Sequence, residues 1–420
     1  MKNMLVLYHL PFVKTANTIN EHVSAFERYS RRYNVVLLNT ECGFPQKMKE
    51  LDFDVIVLHY SLFGLGHTYM LNRKFLEYLE GSRAYKVAFF QDEYHYCKKR
   101  FDFLNRYAID SVFTLLDERY FDETYYRYTD VKQVHTTYTG YVDDGLIELA
   151  EKYHLPLSER NIDISYRARE LPYYMGREAQ EKTEIAKKTI ERLKNTRYRY
   201  DIAYDESSRL YGEDWFRFLA DSRAVLGVEA GVSIFDLDGE AQKTYEEALR
   251  KNPDLGREEI FKILEPWEGR IHYRTISPRI FEAAAFRVCQ ILYEGDYQGV
   301  LQPMVHYIPL KKDFSNMDQV LSLLDDHDFV EKMTERAYRD LIESGKYSYR
   351  SFIKYFEDTL PETNSTESAA IDEIIEMIEK DALLRTAKAR ILSVRYMNFP
   401  GKKYIPGNIK NRIKKMLGVG

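Results

Sequence analysis

Short, near-continuous apolar runs alternate with stretches of helical period along this chain, and the alternation happens twice. In the first third the apolar runs fall at 4–8, 34–38, 55–59, 86–90, 111–115 and 131–136, with helical periodicity at 19–32, 71–79 and 98–107. Strands that are apolar on both faces need cover on both faces, and the intervening helices supply it. The pattern therefore predicts a parallel α/β sheet. A second series follows, with strands expected at 162–166, 200–204, 224–228, 288–293 and 307–309. Its helices are expected at 178–194, 214–222, 278–285, 317–324 and 329–344, and a charged insertion at 236–272 interrupts it. A chain of 420 residues exceeds one ordinary core. The fold class expected is α/β, two Rossmann-like domains facing a cleft, at about 1–150 and 161–345. From 361 the composition shifts to a PETNSTES linker, an acidic then basic helix over 369–394, and a basic finish at 408–417. That finish suits an anionic membrane surface, or simply a solvated tail.

Ligands of such sheets bind at the carboxyl ends of the strands. The segments 8–17, 59–67 and 91–96 sit there and are rich in Gly, His and carboxylates. A formal net charge of −5 offers no basic excess for nucleic acid, so nucleic acid is not expected as a partner. The three cysteines, Cys42, Cys97 and Cys289, are far apart and lack metal-site spacing, which fits a reducing cytosol. No apolar run approaches the roughly 18 residues of a membrane span. A cytoplasmic protein, at most resting on the inner face of a membrane, is expected.

Two stretches carry more specific chemistry. Residues 277–320 begin SPRIFEAAAF, a helix with Glu282 ahead of three alanines, followed by a buried strand, an EGD turn at 294–296 and HYIPL. Residues 161–238 contain DISYRARELPYYMGR and GVEAGVSIFDLDG. Together these resemble the donor-binding half of GT-B glycosyltransferases of the group 1, family 4-like type, in a bacterial branch. The resemblance implies a nucleotide-sugar donor in the second domain and an acceptor, glycan or lipid-linked, in the first. It implies no cofactor and no metal. It also implies a helix over 346–360 that crosses back to the first domain. By the same resemblance Glu282 accepts the ribose hydroxyls, while Arg167 and Arg169, with Lys182 one turn into the next helix, hold the diphosphate. Fixed cations there stabilise the charge that develops on a departing nucleoside diphosphate. Gly231 and Ser233 are expected as donor contacts, with Glu229 on a sugar hydroxyl or anchoring its loop. The chain departs from the wider pattern at Arg274, where many retaining members place a second Glu. It departs again at Arg287-Val288-Cys289, where a Gly-x-Pro is usual. The stereochemical outcome stays open.

In the first domain FFQDEY, residues 89–94, closes a strand where the acceptor should enter. Asp92, Glu93 and His95 are the candidate general bases, since one carboxylate suffices for direct attack by a hydroxyl. Helix capping is the competing role for the two carboxylates. His59 and His9, also at strand ends, are second-line candidates. Asp236-Leu-Asp238 has the D-x-D form of a metal site, but such strings are common by chance. Motifs of zinc proteases, P-loops, serine-nucleophile elbows and dinucleotide folds are absent from the sequence. The reading from these residues is glycosyl transfer; the alternatives are a non-catalytic nucleotide- or glycan-binding protein, or an epimerase or phosphorylase of the same architecture.

Overall fold

The computed structural model describes residues 2–11, 17–64 and 69–362, with Glu376 and Lys380 beyond them. The expected linker, the terminal helix apart from those two positions, and the basic finish lie outside the described residues, as do parts of the 8–17 and 59–67 loops. Six strands form the first sheet: β1 (Lys2–Tyr8), β2 (Tyr33–Asn39), β3 (Val55–Leu58), β4 (Tyr85–Phe89), β5 (Ser111–Thr114) and β6 (Gln133–Thr136). All pairings are parallel, in the order β2-β1-β3-β4-β5-β6. Alternate residues of β1 face opposite cores, as a period of two requires. Leu5 and Leu7 join one apolar cluster, Met4 and Val6 the other. Helices α1 (Asn17–Tyr29), α2 (Arg73–Gly81), α3 (Cys97–Arg106) and α4 (Tyr125–Tyr128) accompany this sheet, and α5 (Asp144–Lys152) leads out of it.

The second sheet contains β7 (Ile162–Arg167), β8 (Tyr200–Ala203), β9 (Ser222–Gly227), β12 (Cys289–Tyr293) and β13 (Ile308–Leu310). It is also fully parallel, in the order β13-β12-β9-β7-β8. Its helices are α6 (Arg177–Leu193), α7 (Glu213–Ala220), α10 (Pro278–Ala285), α11 (Met317–Asp325) and α12 (His327–Tyr338). The start of α10 is written in the sequence: Ser277 caps it by accepting from the Arg279 amide, and Pro278 takes the first helical position. Two parallel sheets with their helices give the GT-B architecture.

A last helix, α13 (Tyr349–Thr359), packs onto the first sheet: Phe352, Ile353 and Phe356 share a core with Val6, Val57 and Phe89. Glu357 at its end accepts from Ser30 Oγ at 2.6 Å and from the amides of Arg31 and Arg32. The helix therefore fixes the end of α1 as well as the sheet.

The charged insertion is an arm. It comprises an antiparallel pair, β10 (Ala230–Ile234) and β11 (Glu268–Thr275), with α8 (Glu240–Lys251) and α9 (Arg257–Leu264) between them. Although it leaves the second sheet, its apolar face joins the first core, through Val232, Phe235, Ile271 and Tyr273. The Asp236 amide donates to the Tyr94 carbonyl at 2.7 Å, and the Lys98 amide to that of Leu237 at 3.1 Å. The two sheets are thus bolted together beside the 91–96 loop. β10 was not expected, because glycines two residues beyond a strand read as a ligand loop. At Gly231 the glycine serves the pairing instead: φ is +132°, and a Cβ would lie 1.7 Å from the Tyr273 carbonyl oxygen. Gly231→Ala should cost more than about 1 kcal/mol in denaturant unfolding, through both the backbone conformation and the collision. Unchanged stability would show that the arm does not pair as described.

Candidate functional site

In the second sheet the chain runs from β7 to β8 on one side and returns to β9 on the other. The carboxyl ends of β7 and β9 therefore flank a topological switch point, where open α/β sheets bind ligands. A cleft of about 220 Å³ opens there. Arg167, Arg169, Lys182, Arg209 and Arg279 line it, and no carboxylate among the described residues does. Arg169 and Arg279 are exposed. Arg279 stacks its guanidinium over the Trp215 ring at 4.7 Å and donates to the Arg167 carbonyl. Lys182 sits on α6; burial lowers its pKa, a pull opposed by Asp92 and reinforced by Arg279 and Arg169. The start of α10, at Ser277, adds the positive end of a helix dipole to the same rim. Arg167 is paired with Asp201 at 2.9 Å and Arg209 with Glu206 at 2.7 Å, so Arg169, Lys182 and Arg279 are the cations that suit the cleft to a multiply charged anion.

Asp92 reaches Lys182 electrostatically from the first sheet's loop, so this exposed carboxylate faces the cationic cleft across the gap between the sheets. The loop is strained: Asp92 and Tyr96 take φ of 57° and 52°, the left-handed region that side chains disfavour. What holds it is Glu93, which has no exposure. One Glu93 oxygen accepts from Tyr125 at 2.9 Å and from Thr114, the other from Tyr273 on the arm at 2.6 Å. Burial, and then the Glu93 charge, pushes both tyrosines well above their ordinary value, so they remain hydroxyl donors. Arg100 adds a bond to the His95 carbonyl at 2.8 Å.

A second cavity, about 300 Å³, lies where α1 meets α10. Glu21, Asp143 and Glu282 line it with Arg28. Burial, then Asp143 and Glu282, pushes Glu21 up to about 7, against the pull of Arg28. Tyr60 senses both Glu21 and Asp92 and hydrogen-bonds Thr18, so the acidic cavity and the loop lie near one buried tyrosine.

The structure places the sequence candidates unequally. Arg167, Arg169 and Lys182 come together at the cationic cleft, with Asp92 opposite. Arg167 is largely committed: it is 9 % exposed, pairs with Asp201 at 2.9 Å, and keeps only Nε unpartnered. The other candidates lie elsewhere or are occupied by structural contacts. Glu93 is a buried anchor, not an accessible base. His95 is buried, stacked on Tyr174 at 5.5 Å. Glu229 binds Arg274 at 2.6 Å and the Tyr297 amide at 2.9 Å, which fits loop anchoring and leaves no sugar contact. Ser233, 1 % exposed, accepts from the Glu178 amide at the start of α6. Gly231 is spent on strand pairing. Glu282 accepts the Trp215 indole at 2.8 Å and faces the acidic cavity, with Trp215 between it and the cations. His59 is fully buried against His22 at 3.1 Å, and His9 bonds Thr40. Asp236 accepts the Gly239 and Gln242 amides at the start of α8, while Asp238 pairs with Lys98 at 3.6 Å. Sequence reading missed Arg209, Arg279, Trp215 and Glu21. Arg279 had one signal, its place just inside the Ser-Pro helix start; the others carried none, being single residues on ordinary amphipathic helices and loops.

No family model and no curated protein matches this chain. Among solved structures it is similar to an alpha-glucosyltransferase in complex with UDP-glucose and DNA containing an abasic site. That likeness has a TM-score of 0.49 and 11 % identity, over 84 % of this chain and 97 % of the other. It is also similar to Anabaena Alr3699/HepE in complex with UDP and glucose, at TM-score 0.44 and 10 % identity, over 86 % and 99 %. A third is the sucrose-phosphate synthase of Thermosynechococcus elongatus, at 0.46 and 8 %, over 85 % and 98 %. Other structures of the alpha-glucosyltransferase contain 13-mer DNA. With DNA in those complexes, the exclusion of nucleic acid drawn from net charge does not stand. Net charge sums the whole surface, whereas phosphate contacts depend on a local patch.

The acidic cavity gives a pH signature. A carboxyl whose folded pKa exceeds its unfolded value favours folding less as pH rises through the interval between them. For Glu21 that interval runs from 4.5 to about 7. Glu21→Gln should therefore melt higher than the parent at pH 8 and alike at pH 4. A variant equal to or less stable than the parent at pH 8 would contradict this environment.

Proposed function

We propose that this chain is a glycosyltransferase that binds a nucleotide-sugar in the second-sheet cleft and transfers its sugar to an acceptor entering from the first. The observation that carries the reading is the cluster of cations lining the switch point, Arg169, Lys182 and Arg279 foremost, with Asp92 facing it across the gap. Residues 1–150 serve as the acceptor domain and 161–345 as the donor domain, and 346–360 return to the first. In a direct displacement, Asp92 takes the proton of the acceptor hydroxyl as its oxygen bonds the anomeric carbon. The bond from that carbon to the diphosphate oxygen breaks, and the leaving charge gathers between Arg169, Lys182 and Arg279. Fixed side chains need no reorganisation at that moment, which is where electrostatic catalysis gains most. These cations supply the charge stabilisation that a metal ion would otherwise give, so turnover should persist in EDTA. The acceptor reading is a glycan or lipid-linked sugar of polysaccharide synthesis, and the basic segment from Ala382 onward, which holds no Asp or Glu, suits work at a membrane's inner face.

The test is release of nucleoside diphosphate from a panel of nucleotide-sugars, with glycan, lipid-linked and DNA acceptors. Asp92→Asn should lower turnover by about 10²-fold or more while donor affinity holds. Ordinary turnover in that variant would remove Asp92 from the base role. Binding without turnover under every acceptor would point to a nucleotide-binding protein instead.

A further inference from the structure

The cationic cleft has a second end. β12 pairs with β9 so that Leu292 stands beside Gly227 at the carboxyl edge, and Gln290 stands beside Val225, one pleat deeper. Gln290 lines the cleft and is 1 % exposed. Its Nε2 donates to the Ile280 carbonyl at 3.3 Å, which sets which way the amide faces. Its Oε1 has no hydrogen-bond partner among the described residues. Around it the cleft is apolar, with Leu219, Val225, Ile280 and Leu292. A buried carbonyl oxygen left unpaired among such side chains is unfavourable until something donates to it.

The cleft also has a direction. Asp92 acts on Lys182, and Asp92 and Arg169 both act on Tyr94, so Lys182 and Arg169 mark the end nearest the acceptor. A nucleotide-sugar laid along it puts the diphosphate at the cations and the sugar toward Asp92. The nucleobase is left for the deep end. There it meets flat and apolar walls, Trp215 among them, and one acceptor.

We propose that Gln290 reads the donor's nucleobase: its unpartnered Oε1 at the deep end of the cationic cleft accepts a ring N–H, selecting a lactam base (uracil, thymine or guanine) over cytosine and adenine. This rests on the donor reading above. The chemistry follows from ring tautomers. Uracil and thymine carry a hydrogen on N3 and guanine on N1. Cytosine N3 and adenine N1 carry a lone pair, which would face the Gln290 lone pairs in a dry pocket. A site built to receive a hydrogen bond rejects the analogue that cannot make it far better than apolar shape does.

Calorimetric titration of the full chain with UDP, GDP, CDP, ADP and inorganic pyrophosphate tests this. UDP or GDP should bind about tenfold or more tightly than CDP and ADP. Gln290→Leu should bring the favoured nucleotide down by a similar factor and leave pyrophosphate unchanged. Should that variant not fold, the ring-N-methylated form of the favoured nucleotide on the parent protein makes the same measurement. Equal binding of all four nucleotides overturns the inference, as does preference for CDP or ADP. A lactam preference that survives Gln290→Leu, or N-methylation, overturns it too. Pyrophosphate binding without base preference sinks this inference alone; no binding of pyrophosphate or any nucleotide sinks the donor reading with it.

Discussion

A carboxylate with no exposure must have its lone pairs satisfied by protein, and Glu93 draws its donors from three places. Thr114 belongs to the first sheet, Tyr125 to the short helix beyond it, and Tyr273 to the arm that grows from the second sheet. Removing one partner of a buried charge leaves a penalty far greater than the bond itself is worth, so this cluster resists rearrangement. It fixes the loop that carries Asp92 at its strained backbone angle, and it fixes the first sheet against the arm. The gap between Asp92 and the cations of the second sheet is set by the same contact. Here the arm ties the two sheets directly beside the site, so motion on this side of the cleft would have to break buried hydrogen bonds.

Charge is divided between two cavities. Arginines and a lysine gather at the β7–β9 switch point, while Glu21, Asp143 and Glu282 gather where α1 meets α10. Trp215 is the boundary, with its ring under Arg279 and its indole N–H on Glu282. An anion is drawn to one cavity and repelled from the other, which orients a ligand before any specific contact is made. Burial works against the charge in both places: it lowers Lys182 and raises Glu21, the opposite responses of a cation and a carboxyl to the loss of water.

The sheets were legible because their strands are apolar on both faces, as a parallel sheet covered by helices on either side requires. The boundaries of β3, β7 and α10 fall within a residue or two of the periodic runs. The arm was not legible, since antiparallel pairing depends on a partner some forty residues away that leaves no local mark. The site divided in the same way. Arg169, Lys182 and Asp92 were visible as charges at strand ends or one turn beyond. Glu93 and Asp92 are adjacent carboxylates, and only the three hydroxyls around Glu93, from 114, 125 and 273, tell the anchor from the exposed acid. Ser233 and Gly231 looked like a ligand cradle because small residues serve close packing and ligand approach equally well. Gln290 went unremarked: a glutamine in a strand says nothing until its burial and its unpaired oxygen are seen.

A crystal structure with a bound nucleoside diphosphate would test the proposed donor site at the carboxyl ends of β7 and β9. The diphosphate should lie between Arg169, Lys182 and Arg279, within reach of the start of α10. A diphosphate found in the Glu21–Glu282 cavity, or at the first sheet's strand ends, would contradict it.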